Sequence, residues 1–175
     1  MRRLLLLLAG MILPAASAAA QDSYPRAEIF GGASYFRSPV SVGYKFVGYN
    51  FGGWHASVSG NVHKNFGIVA DLAGQYGHYS RRSYEYMLGP RFQYRSDHAT
   101  FFAHALYGGL TALQDSDSEG TGFLMAYGFG VDVNLGKRVA VRVLQFDYMA
   151  DRSHDQWGRD LRASFGVVFR LGGQR

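Results

Sequence analysis

Apolar and polar side chains alternate with a period of two along most of the chain beyond residue 26. Successive side chains of a β-strand point to opposite faces, so this alternation predicts strands with one apolar and one polar face. In segment 54–62 the two faces carry Trp54, Ala56, Val58, Gly60 and Val62 on one side and His55, Ser57, Ser59 and Asn61 on the other. The same contrast recurs over segments 66–76, 84–95, 123–135 and 161–171.

Three further segments alternate less regularly, namely 27–37, 101–110 and 139–148. In the last of them the apolar phase changes between Val143 and Phe146. A β-bulge near Leu144 would bring these apolar side chains onto one face, and bulges are common at barrel rims. With these three segments, the chain is predicted to form eight strands.

The links between the predicted strands alternate in length. Short links lie at 63–65, 96–100 and 136–138, and longer polar links lie at 38–53, 77–83, 111–122 and 149–160. An all-β, eight-stranded antiparallel up-and-down barrel needs three short turns and four long loops when both termini lie on the short-turn side. In a transmembrane β-barrel the short-turn side is periplasmic, so both termini are expected there.

Three-residue turns also predict a register for two hairpins. Asp132 should lie opposite Arg142, Val62 opposite Phe66, and Ser57 opposite Asp71. This register keeps the apolar faces of neighbouring strands aligned, which a half-buried sheet requires.

The composition of the two faces separates a membrane barrel from a soluble, lipocalin-like barrel. Lys and Glu, which usually fill a water-facing sheet, occur only at Lys45, Lys64, Lys137, Glu28, Glu85 and Glu119. The polar face is instead rich in Gly, Ser, Ala and Asn, which suits a narrow barrel interior. The apolar face carries aromatic residues near strand ends, as in the two interfacial girdles of an outer-membrane barrel. We therefore predict a transmembrane β-barrel.

The first residues have the pattern of an export signal. Arg2 and Arg3 precede an apolar run over residues 4–13, and three alanines end at Ala20. We expect residues 1–20 to be a cleaved signal peptide and residues 21–175 to form the barrel. No later segment has the ~18 continuous apolar residues of a membrane helix. The chain has no Cys, which excludes disulfides and an acylated-cysteine anchor.

Composition and charge indicate which classes of partner to expect. The chain has 23 Gly, 12 Tyr and 13 Phe against 4 Pro, a combination that suits curved sheet with large anchoring side chains. The formal charge of +5 falls by two, to +3, without Arg2 and Arg3. That mild excess fits contact with anionic lipid, and no basic stripe indicates nucleic-acid binding. Expected partners are outer-membrane lipid and lipopolysaccharide, for a protein that is itself a monomer.

Three segments resemble a known family. These are the opening strand 27–32, the segment 89–92 and the closing segment 166–170. From residue 26 to residue 172 the chain resembles the outer membrane protein β-barrel domain family, the small OmpA/OmpX-type, porin-like barrels. The resemblance implies localisation in the outer membrane and biogenesis through the barrel assembly machinery, which reads a terminal aromatic matched here by Phe169. It implies an architecture rather than an activity.

The inward face carries charges of both signs on neighbouring predicted strands: Glu28, Asp71, Glu85, Arg91, Asp132, Arg142, Asp147 and Arg162. These groups could line or gate a narrow ion path. The alternative, which we favour, is a paired network that fills an interior too narrow for water flow, since buried charges need partners.

Two patterns suggest other chemistry without specifying it. His55 and Ser57 share the inward face and Asp71 should face Ser57, which are the ingredients of a Ser/His/acid hydrolase. Side chains two apart on one strand point alike without bonding, so we favour structural roles. The acidic run 115–119 could hold Ca²⁺ but lacks the spacing of an EF-hand, and no His spacing indicates a metal site.

The predicted external loops carry aromatic residues that could be adhesive or could extend the outer girdle. They are Tyr44, Phe46, Tyr49 and Phe51 in the first loop and Trp157 in the last. The sequence thus predicts a non-enzymatic barrel with a structural or surface-interaction role and no cofactor. A narrow porin or solute channel is the alternative, and a lipid-modifying hydrolase comes third.

Overall fold

The computed structural model describes residues 24–42, 45–77, 82–114, 117–153 and 156–172. The side chains of residues 39–42, 45–47, 114, 117–120, 153 and 156–157 are outside this description. The predicted signal peptide, residues 1–20, lies outside the described residues, as do the side chains of the acidic run 115–119.

Eight antiparallel strands close into one barrel in chain order, and β1 pairs with β8 to complete it. The strands are β1 (Ala27–Val42), β2 (Lys45–His63), β3 (Phe66–Tyr76), β4 (Arg82–Arg95), β5 (Ala99–Gln114), β6 (Asp117–Asn134), β7 (Val139–Ser153) and β8 (Gln156–Leu171). Within the described ranges no helix is long and apolar enough to cross a membrane. The prediction of an eight-stranded up-and-down barrel is confirmed.

The two ends of the barrel differ in how strands connect. At the end that we call the turn end, β2–β3, β4–β5 and β6–β7 join through short turns, and Arg26 donates its backbone N–H to Leu171. At the opposite end, the hairpin end, strands run on into regions that we had predicted as long loops. The ladder of β1 and β2 continues to Val42 opposite Lys45. The alternating pattern fades there because neither face of a strand that projects beyond the bilayer needs to be apolar.

The predicted register is correct in two places and wrong in one. Asp132 lies opposite Arg142, and Ser57 lies opposite Asp71, as predicted. Val62 does not lie opposite Phe66, because the register shifts between Asn61 and His63 and it is His63 that faces Phe66. The β2–β3 turn is therefore shorter by one residue than the sequence suggested.

The predicted bulge in β7 is present. Val131 lies opposite Leu144 while Asp132 lies opposite Arg142, so Val143 is the extra residue. Val143 and Leu144 are both exposed, at 52% and 46%. The bulge lets Arg142 and Gln145 both point inward, and it keeps Val139, Val141, Phe146 and Tyr148 in one outward phase along β7.

The outer wall of the barrel is apolar, and aromatic side chains form a belt near each end. Near the hairpin end Trp54 Nε1 donates to the Tyr76 hydroxyl at 3.3 Å, and the hydroxyls of Tyr107 and Tyr127 are 3.4 Å apart. The exposed aromatics nearer the turn end are Phe92, Tyr94, Phe101 and Phe169. An apolar wall bounded by two aromatic belts is the surface of a transmembrane β-barrel.

Glycines permit close approach where β1 and β8 close the barrel. A Cβ on Gly32 would overlap the carbonyl oxygen of Phe165, and one on Gly166 would overlap that of Gly31. The closing seam therefore depends on two residues without side chains.

Candidate functional site

The barrel interior holds all eight charged residues that the sequence singled out, and they form two clusters. The turn-end cluster consists of Glu28, Arg91, Asp132 and Arg142, and the central cluster consists of Asp71, Glu85, Asp147 and Arg162. Every member is at most 3% exposed. They come from β1, β3, β4, β6, β7 and β8, so their contacts cross the lumen as well as follow the wall.

In the turn-end cluster two guanidinium groups share one carboxylate. Arg142 donates from Nε to Asp132 Oδ1 at 2.7 Å and from Nη2 to Oδ2 at 3.1 Å. Arg91 reaches the same carboxylate at 3.3 Å and Glu28 Oε2 at 3.3 Å. The two-pronged bond of Arg142 holds the carboxylate in a defined orientation, which a single ammonium contact would not do.

Two aromatic rings complete this cluster. The guanidinium carbons of Arg91 and Arg142 lie 4.1 and 4.3 Å from the centroid of Phe102, and Arg142 also lies 4.2 Å from that of Phe30. Stacking on aromatic rings stabilises guanidinium groups that have left water. The alternation of the sequence places both rings inward, but nothing in the pattern indicated that they would stack on the arginines.

Arg162 is the centre of the second cluster. Its guanidinium lies 3.1 Å from Asp71, 2.9 Å from Glu85 and 2.9 Å from Asp147, and those three carboxylates belong to β3, β4 and β7. A single side chain of β8 is thus bonded to three other strands, two of them across the lumen.

Two histidines extend the central cluster along the wall. His55 Nε2 is 2.6 Å from Asp71 Oδ2, and His104 Nε2 is 2.7 Å from Asp147 Oδ1. Neither histidine was predicted to join the network. Their inward positions follow from the strand alternation, whereas their partners are set by the tilt of the strands around the barrel.

An apolar layer closes the interior on the side of the hairpin end. Leu106, Ala126 and Met149 are fully buried, Leu124 is 1% exposed, and Phe36 packs with them. We call this layer the apolar plug. Phe51, which we had placed in an external loop, packs against Phe36 with ring centroids 5.8 Å apart.

At the turn end a cleft of about 520 Å³ is lined mainly by polar and charged residues. On its wall Arg170 donates to the Thr100 hydroxyl at 3.0 Å. Glu28 accepts from Arg95 at 2.9 Å and belongs to the turn-end cluster. The cleft therefore leads to the stacked arginines and rings, which occupy the lumen beyond it.

The hydrolase hypothesis lacks its required contact. A Ser/His/acid triad uses one imidazole nitrogen for the acid and the other for the serine. His55 bonds Asp71 through Nε2, and its Nδ1 has no hydrogen-bond partner among the described residues. The described part of the chain also has no group of three His, Asp or Glu residues arranged to hold a metal ion.

The closed antiparallel barrel has an apolar outer wall and charged residues in its interior. These two features define the class of molecule: a small transmembrane β-barrel. Similar solved structures are Neisserial surface protein A (NspA; TM-score 0.66, 10% identity, 83% of this chain and 97% of that chain) and Ail, the attachment invasion locus protein of Yersinia pestis (0.55, 17%, 83% and 99%). A third is the N-terminal β-barrel domain of Pseudomonas aeruginosa OprF (0.56, 8%, 85% and 99%).

The comparisons identify the fold but do not assign the chain to a sequence family. No family model matches the chain, and no curated protein matches it in sequence. The three barrels are at most 17% identical to this chain, so the shared feature is the eight-stranded outer-membrane barrel architecture.

Proposed function

We propose that the protein resides in the bacterial outer membrane as a monomeric, non-enzymatic barrel that presents its hairpin end to the cell exterior. Its partners are outer-membrane lipid and lipopolysaccharide, and the barrel assembly machinery during biogenesis. Both termini are periplasmic in this proposal, because the described ends of the chain lie at the turn end.

The observation that carries the proposal is the filled interior. The lumen contains the turn-end cluster, the central cluster and the apolar plug, one above the other. An eight-stranded barrel has an interior just wide enough to be filled by side chains. A filled interior supports a platform rather than a channel, and the platform rather than the lumen then interacts with partners.

Two further features support a surface role. The strands extend beyond the aromatic belt of the hairpin end, so that paired hairpins project from a rigid base. Two of the similar barrels are called a surface protein and an attachment invasion locus protein. A hairpin held by a closed barrel can bind a partner with little loss of conformational freedom.

Cell fractionation with an orientation tag tests the location. An epitope inserted between residues 43 and 44 should be accessible to antibody on intact cells, and one placed after residue 175 only after permeabilisation. The purified protein should also migrate differently in gels before and after boiling. Recovery in the soluble periplasmic fraction, or the opposite tag accessibility, would contradict the proposal.

A conductance measurement distinguishes the platform from the channel alternative. In planar lipid bilayers the folded protein should produce no unitary current steps, because the apolar plug and the ion-paired clusters leave no aqueous path. Reproducible steps of constant size would support a narrow channel and contradict the platform.

A further inference from the structure

Three arginines lie close together on the outer wall at the hairpin end, on the adjacent strands β7, β8 and β1. They are Arg152, Arg159 and Arg37, all of them exposed. Arg152 pairs with Trp157, so Arg159 is its diagonal neighbour. Arg37 pairs with Leu161, so Arg159 is its diagonal neighbour too. Diagonal neighbours on one face are roughly 7 to 8 Å apart, so the three Cα positions span about 15 Å.

We call these residues the arginine patch. Its level along the barrel follows from the residues two positions away on the same face of each strand. On the same outer face, the next side chain towards the turn end is Tyr35 on the strand of Arg37 and Leu161 on the strand of Arg159. Tyr35 and Leu161 are exposed members of the apolar wall. The arginine patch therefore sits at the boundary where the apolar wall ends, which is the level of lipid headgroups.

Two acidic residues of the described strands beside the arginine patch point the other way. Asp151 and Asp160 are the sequence neighbours of Arg152 and Arg159, and strand alternation puts both on the inner face. Asp160 is 7% exposed, and the carboxylate of Asp151 lies over Gly158 on that inner face. Strand alternation thus places these two carboxylates on the inner face and the three arginines on the outer face.

We infer that the arginine patch binds the phosphate groups of a phosphorylated glycolipid in the outer leaflet. Guanidinium groups bind phosphate oxygens in pairs of parallel hydrogen bonds, which suits Arg better than Lys. Three of them over about 15 Å can engage more than one phosphate of a single headgroup, while acyl chains lie along the apolar wall below. This inference rests on the proposed outer-membrane location with the hairpin end outside.

Binding of purified lipid A tests the inference. Wild type and an Arg37→Gln/Arg152→Gln/Arg159→Gln variant would be folded in non-ionic micelles and titrated with bisphosphorylated lipid A, with native mass spectrometry as the readout. A basic residue near an anionic lipid surface contributes roughly fivefold in affinity, so the triple variant should bind about a hundredfold more weakly. Lipid A stripped of phosphate should bind the wild type as weakly.

The matched control is Arg82→Gln. Arg82 is exposed at the same end of the barrel but lies on β4, four strands away from β8 on the far side. Its substitution should leave lipid A binding at the wild-type level. A triple Arg→Lys variant should bind with intermediate affinity, because it keeps the charge but loses the paired hydrogen bonds.

Three results would overturn the inference. They are wild-type affinity in the triple variant, equal binding of dephosphorylated lipid A by the wild type, and equal competition by phosphatidylglycerol. The second needs no variant, so it decides the matter even if the triple variant fails to fold. Any of these leaves the proposed location intact, since fractionation and tag accessibility test that separately.

Discussion

Arg162 shows how one residue can join distant strands. Its three carboxylate partners are themselves at most 3% exposed, so their charge depends on this guanidinium. Removing one partner of a buried ion pair leaves an uncompensated charge, which costs more than the pair itself contributes. The neighbouring histidines bond only the ends of this array, at Asp71 and Asp147.

We therefore expect Arg162→Met to destabilise the folded barrel by about 3 to 5 kcal/mol. The measurement is urea unfolding of protein folded into lipid vesicles, followed by tryptophan fluorescence. Arg82→Met, on the exposed outer wall, is the control and should leave the unfolding midpoint unchanged. A midpoint for Arg162→Met equal to that of wild type would show that the three carboxylates do not need this partner.

Gly128 shows that some positions in the barrel wall leave no room for a side chain. A Cβ at this position would overlap Asp147 Oδ1 and lie 2.6 Å from His104 Nε2. Gly128→Ala should therefore force the His104–Asp147 pair apart and destabilise the barrel by about 1 to 3 kcal/mol. Gly60→Ala, which meets nothing within 4 Å, should be neutral in the same unfolding assay. Equal stability of the two variants would contradict the close packing at Gly128.

At the scale of the element, the β7 bulge maintains the two faces of the barrel. Because Val143 is the extra residue, its deletion leaves Arg142 inward and Leu144 outward with a regular ladder. Deletion of one residue within a regular strand instead moves every side chain on one side of the cut to the opposite face. The two deletions therefore have opposite consequences for the interior clusters.

We expect the Val143 deletion to fold and to retain heat-modifiable gel migration. Deletion of Val58 from β2, a regular part of the sheet, should abolish folding, because it would turn the polar inward residues on one side of the cut towards lipid. Failure of the Val143 deletion to fold would mean that the bulge is needed for the twist of β7 and not only for its register.

The strands themselves were predictable because membrane and lumen impose opposite demands on successive residues. Where both demands act, as in 66–76, the predicted bounds and those of β3 coincide. The extensions of every strand except β3 at the hairpin end were missed, because the contrast between faces disappears where no lipid is present. The register error at Val62 arose because turn length cannot be inferred from alternation.

At the scale of the whole molecule, the layers of the lumen determine what can pass. The apolar plug is the layer that no ion-pair rearrangement can open, since Leu106 and Met149 are fully buried among apolar side chains. A Leu106→Ala/Met149→Ala variant removes apolar volume from this layer. It leaves the charged clusters in place.

We expect this double variant to remain folded, with a lower unfolding midpoint, and still to show no unitary conductance in planar bilayers. The turn-end and central clusters, which lie between the apolar plug and the cleft at the turn end, would continue to block the lumen. Current steps in the double variant, absent in the wild type, would show instead that the apolar plug alone seals the barrel.

The sequence by itself determined the strand count, the inward or outward direction of most side chains and the location of the bulge. These features follow from a period of two, which is local along the chain. Only the tertiary structure decided that Arg162 reaches three strands, that Phe102 packs against two arginines, and that Arg37, Arg152 and Arg159 are neighbours on one wall. These arrangements bring together residues far apart in the sequence, and they depend on strand tilt and closure, which alternation does not encode.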